Sequence, residues 1–245
     1  MALENFEKIE LIPESEVVND TVEPLEDNSN KSNEISGETE GNIESLQSKL
    51  ETTEIVTDLE MVEGIADYLE TVEDIKYENW CKLSLEQKKD VLNRIEQHVA
   101  AIEHRPPLRV DIEEMKPRTL GYQSASQHKI ALNSLYVNSN NPNVHREVID
   151  TILHEGRHAY QHYNVDVKCI HESAAEVATW RENFYDPEYK YYQSTGQRIM
   201  IRYNDGSVHN VDFRLYYQQP VETDARNFAK DVMIRLEERG VIARE

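Results

Sequence analysis

Apolar residues recur at spacings of three and four from Thr53 to Ile75, through Ile55, Leu59, Val62, Ala66, Leu69 and Val72, which predicts an amphipathic helix. Gly64 inside it costs about 1 kcal/mol relative to alanine. The rhythm returns between Lys82 and His104, where Leu85, Val91, Leu92, Ile95, Val99 and Ile102 form one stripe. Ser84 with Gln87 three residues later has the form of a capping box at its start, and Arg105-Pro106-Pro107 stops it because proline cannot continue the turn. The period then drops to two. Leu108, Val110 and Ile112 alternate with charged residues, and further strands are predicted over 120–124 and 129–133, giving a small antiparallel sheet.

After the polar loop 138–143, with Asn143 as the expected cap, Val148, Ile149, Ile152, Leu153 and Ala159 restore the helical period. Another helix is expected from Ile170 to Tyr185, stopped by Asp186-Pro187. A hairpin follows, with strands Ile199 to Tyr203 and Val208 to Phe213 around the turn Asn204-Asp205-Gly206. The last helix starts near Pro220 and ends at Gly240. The fold class is α+β.

Charge divides the chain. Residues 1–75 hold 22 acidic residues against three lysines, a net of −19, whereas residues 76–245 hold 25 acidic and 23 basic residues. Residues 1–52 read as a disordered acidic tail, because so little apolar surface cannot offset the entropy of ordering. Residues 53–76 read as an amphipathic helix or linker, and 77–245 as the domain. The tail is a candidate arm for a protein partner. The near-neutral domain offers no basic stripe for nucleic acid, and no apolar run is long enough for a membrane. Two cysteines, Cys81 and Cys169, and no secretory signal pattern fit a reducing, cytoplasmic setting, with specialised secretion as an effector an alternative.

The chemistry gathers at His154-Glu155-Gly156-Arg157-His158. Two histidines four apart lie one turn apart on one helical face, where both imidazoles reach a single Zn2+, and the glutamate between them stands beside the water that such an ion activates. The structural alternative is a buried helix whose histidines bond to their neighbours. A catalytic zinc needs a third protein ligand. His162 lies about 12 Å along the axis from His154 and is excluded. Glu172 and Glu176, near the small residues Ser173, Ala174 and Ala175, are candidates, with a solvated helix face as the alternative. Glu222 is the stronger one. It falls in the first turn of the last helix, beside the buried stripe of Ala225 and Ala229, where a carboxylate is costly unless it is paired or binds a metal.

The strand Lys129–Asn133, the His154-Glu155-x-x-His158 helix and the later Glu222-x-Asp224-Ala225-x-x-Phe228-Ala229 helix together resemble the zincin-type metallopeptidases. Among these the arrangement is most similar to the gluzincins and the ImmA/IrrE-like proteins, and also to zincin-like toxin and effector domains. The likeness covers about residues 105 to 236. It implies His154, His158 and Glu222 as zinc ligands, Glu155 as general base, a peptide or protein substrate, and a sheet edge that aligns an extended substrate. The interval of 64 positions from His158 to Glu222 exceeds that in compact gluzincins, and Arg226 stands where some relatives carry an aspartate supporting a histidine. Tyr216, Tyr217 and His209 are candidates for a second oxyanion donor. The rival function is a catalytically inactive zincin-like interaction module.

Overall fold

The structure is a computed structural model. It describes residues 55–185 and 217–243, and the backbone of strands at 191–194, 199–202 and 208–211; the tail expected over 1–52 lies outside the described residues. The helix α1 is Asp58–Glu70, capped by Thr57 and Glu60 in a reciprocal box. A 3-10 turn, Glu73–Ile75, leads to the short α2, Tyr77–Trp80. Then comes α3, Leu85–Ile102, with the expected Ser84–Gln87 box formed in full.

Three strands follow: β1 Arg109–Glu113, β2 Gly121–Ser124 and β3 Lys129–Asn133. The short α4, Ser134–Val137, precedes the 25-residue α5, Pro142–Asp166. The remaining elements are α6 Ala174–Tyr185, the strands β4 Tyr191–Ser194, β5 Ile199–Arg202 and β6 Val208–Val211, and α7 Pro220–Glu238. The last three strands form an antiparallel meander, in which the predicted hairpin is β5–β6. No helix among the described residues is long and apolar enough to cross a membrane.

Three sequence expectations shift by about a turn or less, one of them the helix expected from Ile170, which starts at Ala174. The buried face of α1 is Met61, Val62, Ile65, Ala66 and Leu69, whereas Ile55 and Leu59 are 58% and 63% exposed. The helix starts only at Asp58, and it lies against both α7 and α3, so its buried face is wide and rotated toward Met61 and Ile65. The cap of α5 is Asn141 rather than Asn143: its side chain accepts from Asn143 N, and Pro142 takes the first helical position, where a missing N–H costs nothing.

The first sheet is mixed, which corrects the antiparallel expectation. Its order is β1-β3-β2, with β2 antiparallel to β3 but β1 parallel to it. All five residues of β3 are buried, as for a strand covered on both faces, so it takes the centre. The tight connection 125–128 puts β2 on one edge of β3, and β1 fills the other edge in the parallel sense. β2 presses on α5. A Cβ added to Gly121 would lie 2.8 Å from Ala131 O and 3.0 Å from Thr151 Cγ2, so only glycine permits this approach.

The back of α5 rests on a buried ion cluster at the end of α3. Arg105 donates two bonds to Glu96, at 2.6 and 3.0 Å, and one to Glu103 at 2.7 Å. Burial pushes the Glu103 carboxyl up to about 7 against the pull of Arg105 and Arg157. A Cβ on Gly156 would stand 3.3 Å from Arg105 Nη2, so the third motif residue is small because the guanidinium passes beneath it. Arg105→Ala strands two carboxylates away from water. An expected loss of about 3–5 kcal/mol follows, measured as the denaturation midpoint, with unchanged m-value.

Candidate metal centre

Three side chains from two helices converge at one point. His154 and His158 lie one turn apart on α5, and Glu222 projects from the first turn of α7, which packs along α5. The separations are 3.1 Å between the two Nε2 atoms, 3.4 Å from His154 Nε2 to Glu222 Oε2, and 3.5 Å from His158 Nε2 to Glu222 Oε1. Tetrahedral ligands at zinc-like bond lengths of 2.0–2.1 Å stand about 3.3–3.4 Å apart, so the spacing matches the edges of such a site. Among the described residues, this trio is the group of side chains that could hold a metal ion. Two nitrogens and one carboxylate oxygen suit zinc and other borderline divalent cations.

The carboxylates weighed against Glu222 have other partners. Glu172 Oε1 accepts from Asp58 N at 3.1 Å, at the head of α1, and Glu176 Oε2 meets His171 Nε2 at 2.7 Å. His162 stacks on Phe184 with centroids 4.1 Å apart. Glu155 is buried next to the trio, and its charge acts on His158. Arg226 lies 3.8 Å from Glu222 and covers the Tyr217 ring, donating also to Tyr217 O. Tyr216 and the side chain of His209 lie outside the described residues.

Sequence reading missed the groups that hold this trio in place. Gln161 donates its amide hydrogens to Val221 O at 2.9 Å and Asp224 Oδ2 at 2.7 Å, so its oxygen faces His158 Nδ1, 2.8 Å away. Nδ1 is therefore the donor. In the neutral ring this leaves the Nε2 lone pair directed at Glu222 and His154, the tautomer that a metal ligand requires. Arg157, with no exposure to water, grips Asp224 through Nε and Nη2 at 2.9 and 3.0 Å and reaches Asp58 at 2.9 Å. The one available sequence signal was spacing: Gln161 is three residues past His158, on the same helical face.

Burial alone would lower the His158 imidazole, but hydrogen bonding and charge from Glu222, with Glu155 and Gln161, outweigh it and push it up to about 9. Burial would raise Glu222, yet its bonds to both histidines hold its carboxyl well below the ordinary range. Without a metal, the Glu222 carboxylate thus favours the protonated form of His158. No family model, curated protein or solved structure matches this chain.

The pair has a definite pH signature in chelator-treated protein. His158 has a folded pKa above its ordinary 6.5, so its contribution is complete below 6.5 and is lost as pH rises through about 9. Glu222 works in the opposite sense: its contribution is present above 4.5 and disappears in acid. Thermal and denaturant stability of the chelated protein is expected to fall by on the order of 3 kcal/mol from His158 as pH rises across the upper window. Glu222→Gln is expected to flatten that slope.

Proposed function

We propose that this protein is a zinc-dependent metallopeptidase with a zincin-like, gluzincin-type site, in which His154, His158 and Glu222 hold the ion. The observation that carries the reading is the near-tetrahedral spacing of three ligand atoms brought from two helices, with the buried glutamate Glu155 beside them. A structural pair of histidines would need neither the third ligand nor that glutamate. The tautomer imposed by Gln161 supports the same reading, since it leaves His158 Nε2 directed at the point where the three groups meet.

When bound, zinc supplies a Lewis acid for the scissile carbonyl and a water of lowered pKa. The chain supplies the proton transfers. Glu155 takes the proton of the attacking water on its carboxylate and returns it to the leaving amine nitrogen. Glu222 offsets part of the ion's charge. Substrate alignment falls to β2, which pairs with β3 on one side only among the described strands and packs against α5. Its free edge presents backbone donors and acceptors to an extended peptide.

Elemental analysis tests the reading. The wild type is expected to carry one zinc per chain; His154→Ala and Glu222→Ala are expected to lose it, and Glu176→Ala to keep it. Glu155→Gln is expected to keep the zinc while peptide hydrolysis falls by at least about a hundredfold, the scale of a lost general base. Wild-type protein that stays metal-free after zinc supplementation would sink the proposal.

A further inference from the structure

Polar side chains between α1, α5 and α7 form one continuous chain of contacts, which runs from the half-buried Asp58 through the fully buried Arg157 to the proposed ligand His158. Asp58, the first residue of α1, accepts from Arg157 Nη2 at 2.9 Å. Arg157 binds both oxygens of Asp224, and Asp224 Oδ2 accepts also from Gln161 Nε2, at 2.7 Å. Gln161 Oε1 in turn takes the Nδ1 hydrogen of His158. We propose that Asp58 is a positioning residue of the metal centre, acting through Arg157, Asp224 and Gln161 to fix the tautomer of His158. This inference rests on the metal reading given above.

The coupling follows from how Arg157 is caged. Its guanidinium lies 4.6 Å from the Tyr160 ring, 5.5 Å from Trp180 and 4.4 Å from Phe228, and Nη1 already lacks a hydrogen-bond partner. Arg157 itself has no exposure to water, while the Asp58 side chain at its rim is 37% exposed. When Asp58 is removed, Arg157 retains Asp224 as its carboxylate partner, whose Oδ2 is shared with Gln161. Drawing Asp224 toward Arg157 weakens one of the two acceptors that orient the Gln161 amide, the other being Val221 O. A turned amide presents its NH2 to His158 Nδ1, which moves the ring hydrogen to Nε2, the atom that faces His154 and Glu222. Zinc then competes with a hydrogen in its own ligand position.

The location gives the relay a further meaning. Asp58 follows directly on the capping residue Thr57, and its backbone N–H is held by Glu172 from the segment before α6. The chain preceding α1 therefore enters the domain at the head of the relay, and whatever shifts the start of α1 is felt at His158.

The test uses full-length protein and zinc itself. Zinc affinity is measured by competition with a chromophoric chelator, and the cobalt-substituted protein supplies a ligand-field spectrum. Asp58→Ala and Gln161→Met are each expected to weaken zinc binding by roughly ten- to a hundredfold, and to shift the cobalt bands while far-ultraviolet dichroism stays as in the wild type. Should Asp58→Ala not fold, Asp58→Asn replaces it, with a smaller shift of the same bands expected. Either variant binding zinc within about twofold of wild type, with wild-type cobalt bands, overturns the relay. Wild-type protein that binds no zinc overturns the metal reading itself, so the two failures are told apart.

Discussion

Arg157 carries its charge where water does not reach, and a guanidinium in such a place persists only if carboxylates meet it in good geometry. Asp224 supplies both oxygens in a fork, and Asp58 supplies a third contact. These partners belong to α7 and α1, so one side chain on α5 fixes how three helices cross. Glu222 lies one residue removed from Asp224 on the same turn of α7. The demand for a counter-charge thus places the carboxylate that faces the two histidines, and the spacing of the trio inherits its accuracy from the fork.

The five-residue motif works on more than one side of its helix. His154 and His158 face Glu222, whereas Gly156 lies over the Arg105 fork and Arg157 enters the interhelical core. A motif written with two free positions understates what this chain asks of them. Glycine leaves room where the Arg105 guanidinium comes within 3.3 Å of a would-be Cβ, and arginine meets Asp224 and Asp58 where they converge. Two buried arginines thereby support the back and flank of the helix that carries the histidines.

What could be read from the sequence was local. The Ser84 box, the period of α3 and the pairing of β5 with β6 depend on neighbours within a few residues, and each is found where the pattern put it. Glu222 was legible because a carboxylate beside Ala225 and Ala229 on a buried stripe needs an explanation. The parallel pairing of β1 with β3 was not, since nothing in either strand encodes which edge the other will take. Arg157 and Gln161 were opaque for a related reason. Their meaning lies in Asp58, Val221 and Asp224, partners 60 to 99 residues away. Glu172 and Glu176 could not be separated from Glu222 by composition, only by the partners they adopt.

The interval of 64 positions from His158 to Glu222 bears on how the architecture tolerates change. Bringing α7 back to α5 closes a long loop, and the entropy of closure grows only with the logarithm of its length, by about 0.6 kcal/mol for each doubling. The fork and the Gln161 bonds to α7 act at the loop's ends. They are almost indifferent to how much chain lies between. The stretch holding β4, β5 and β6 is therefore the part of the protein where insertions and replacements cost the helix pair least, a natural seam along which one helical frame can be fitted with different surfaces.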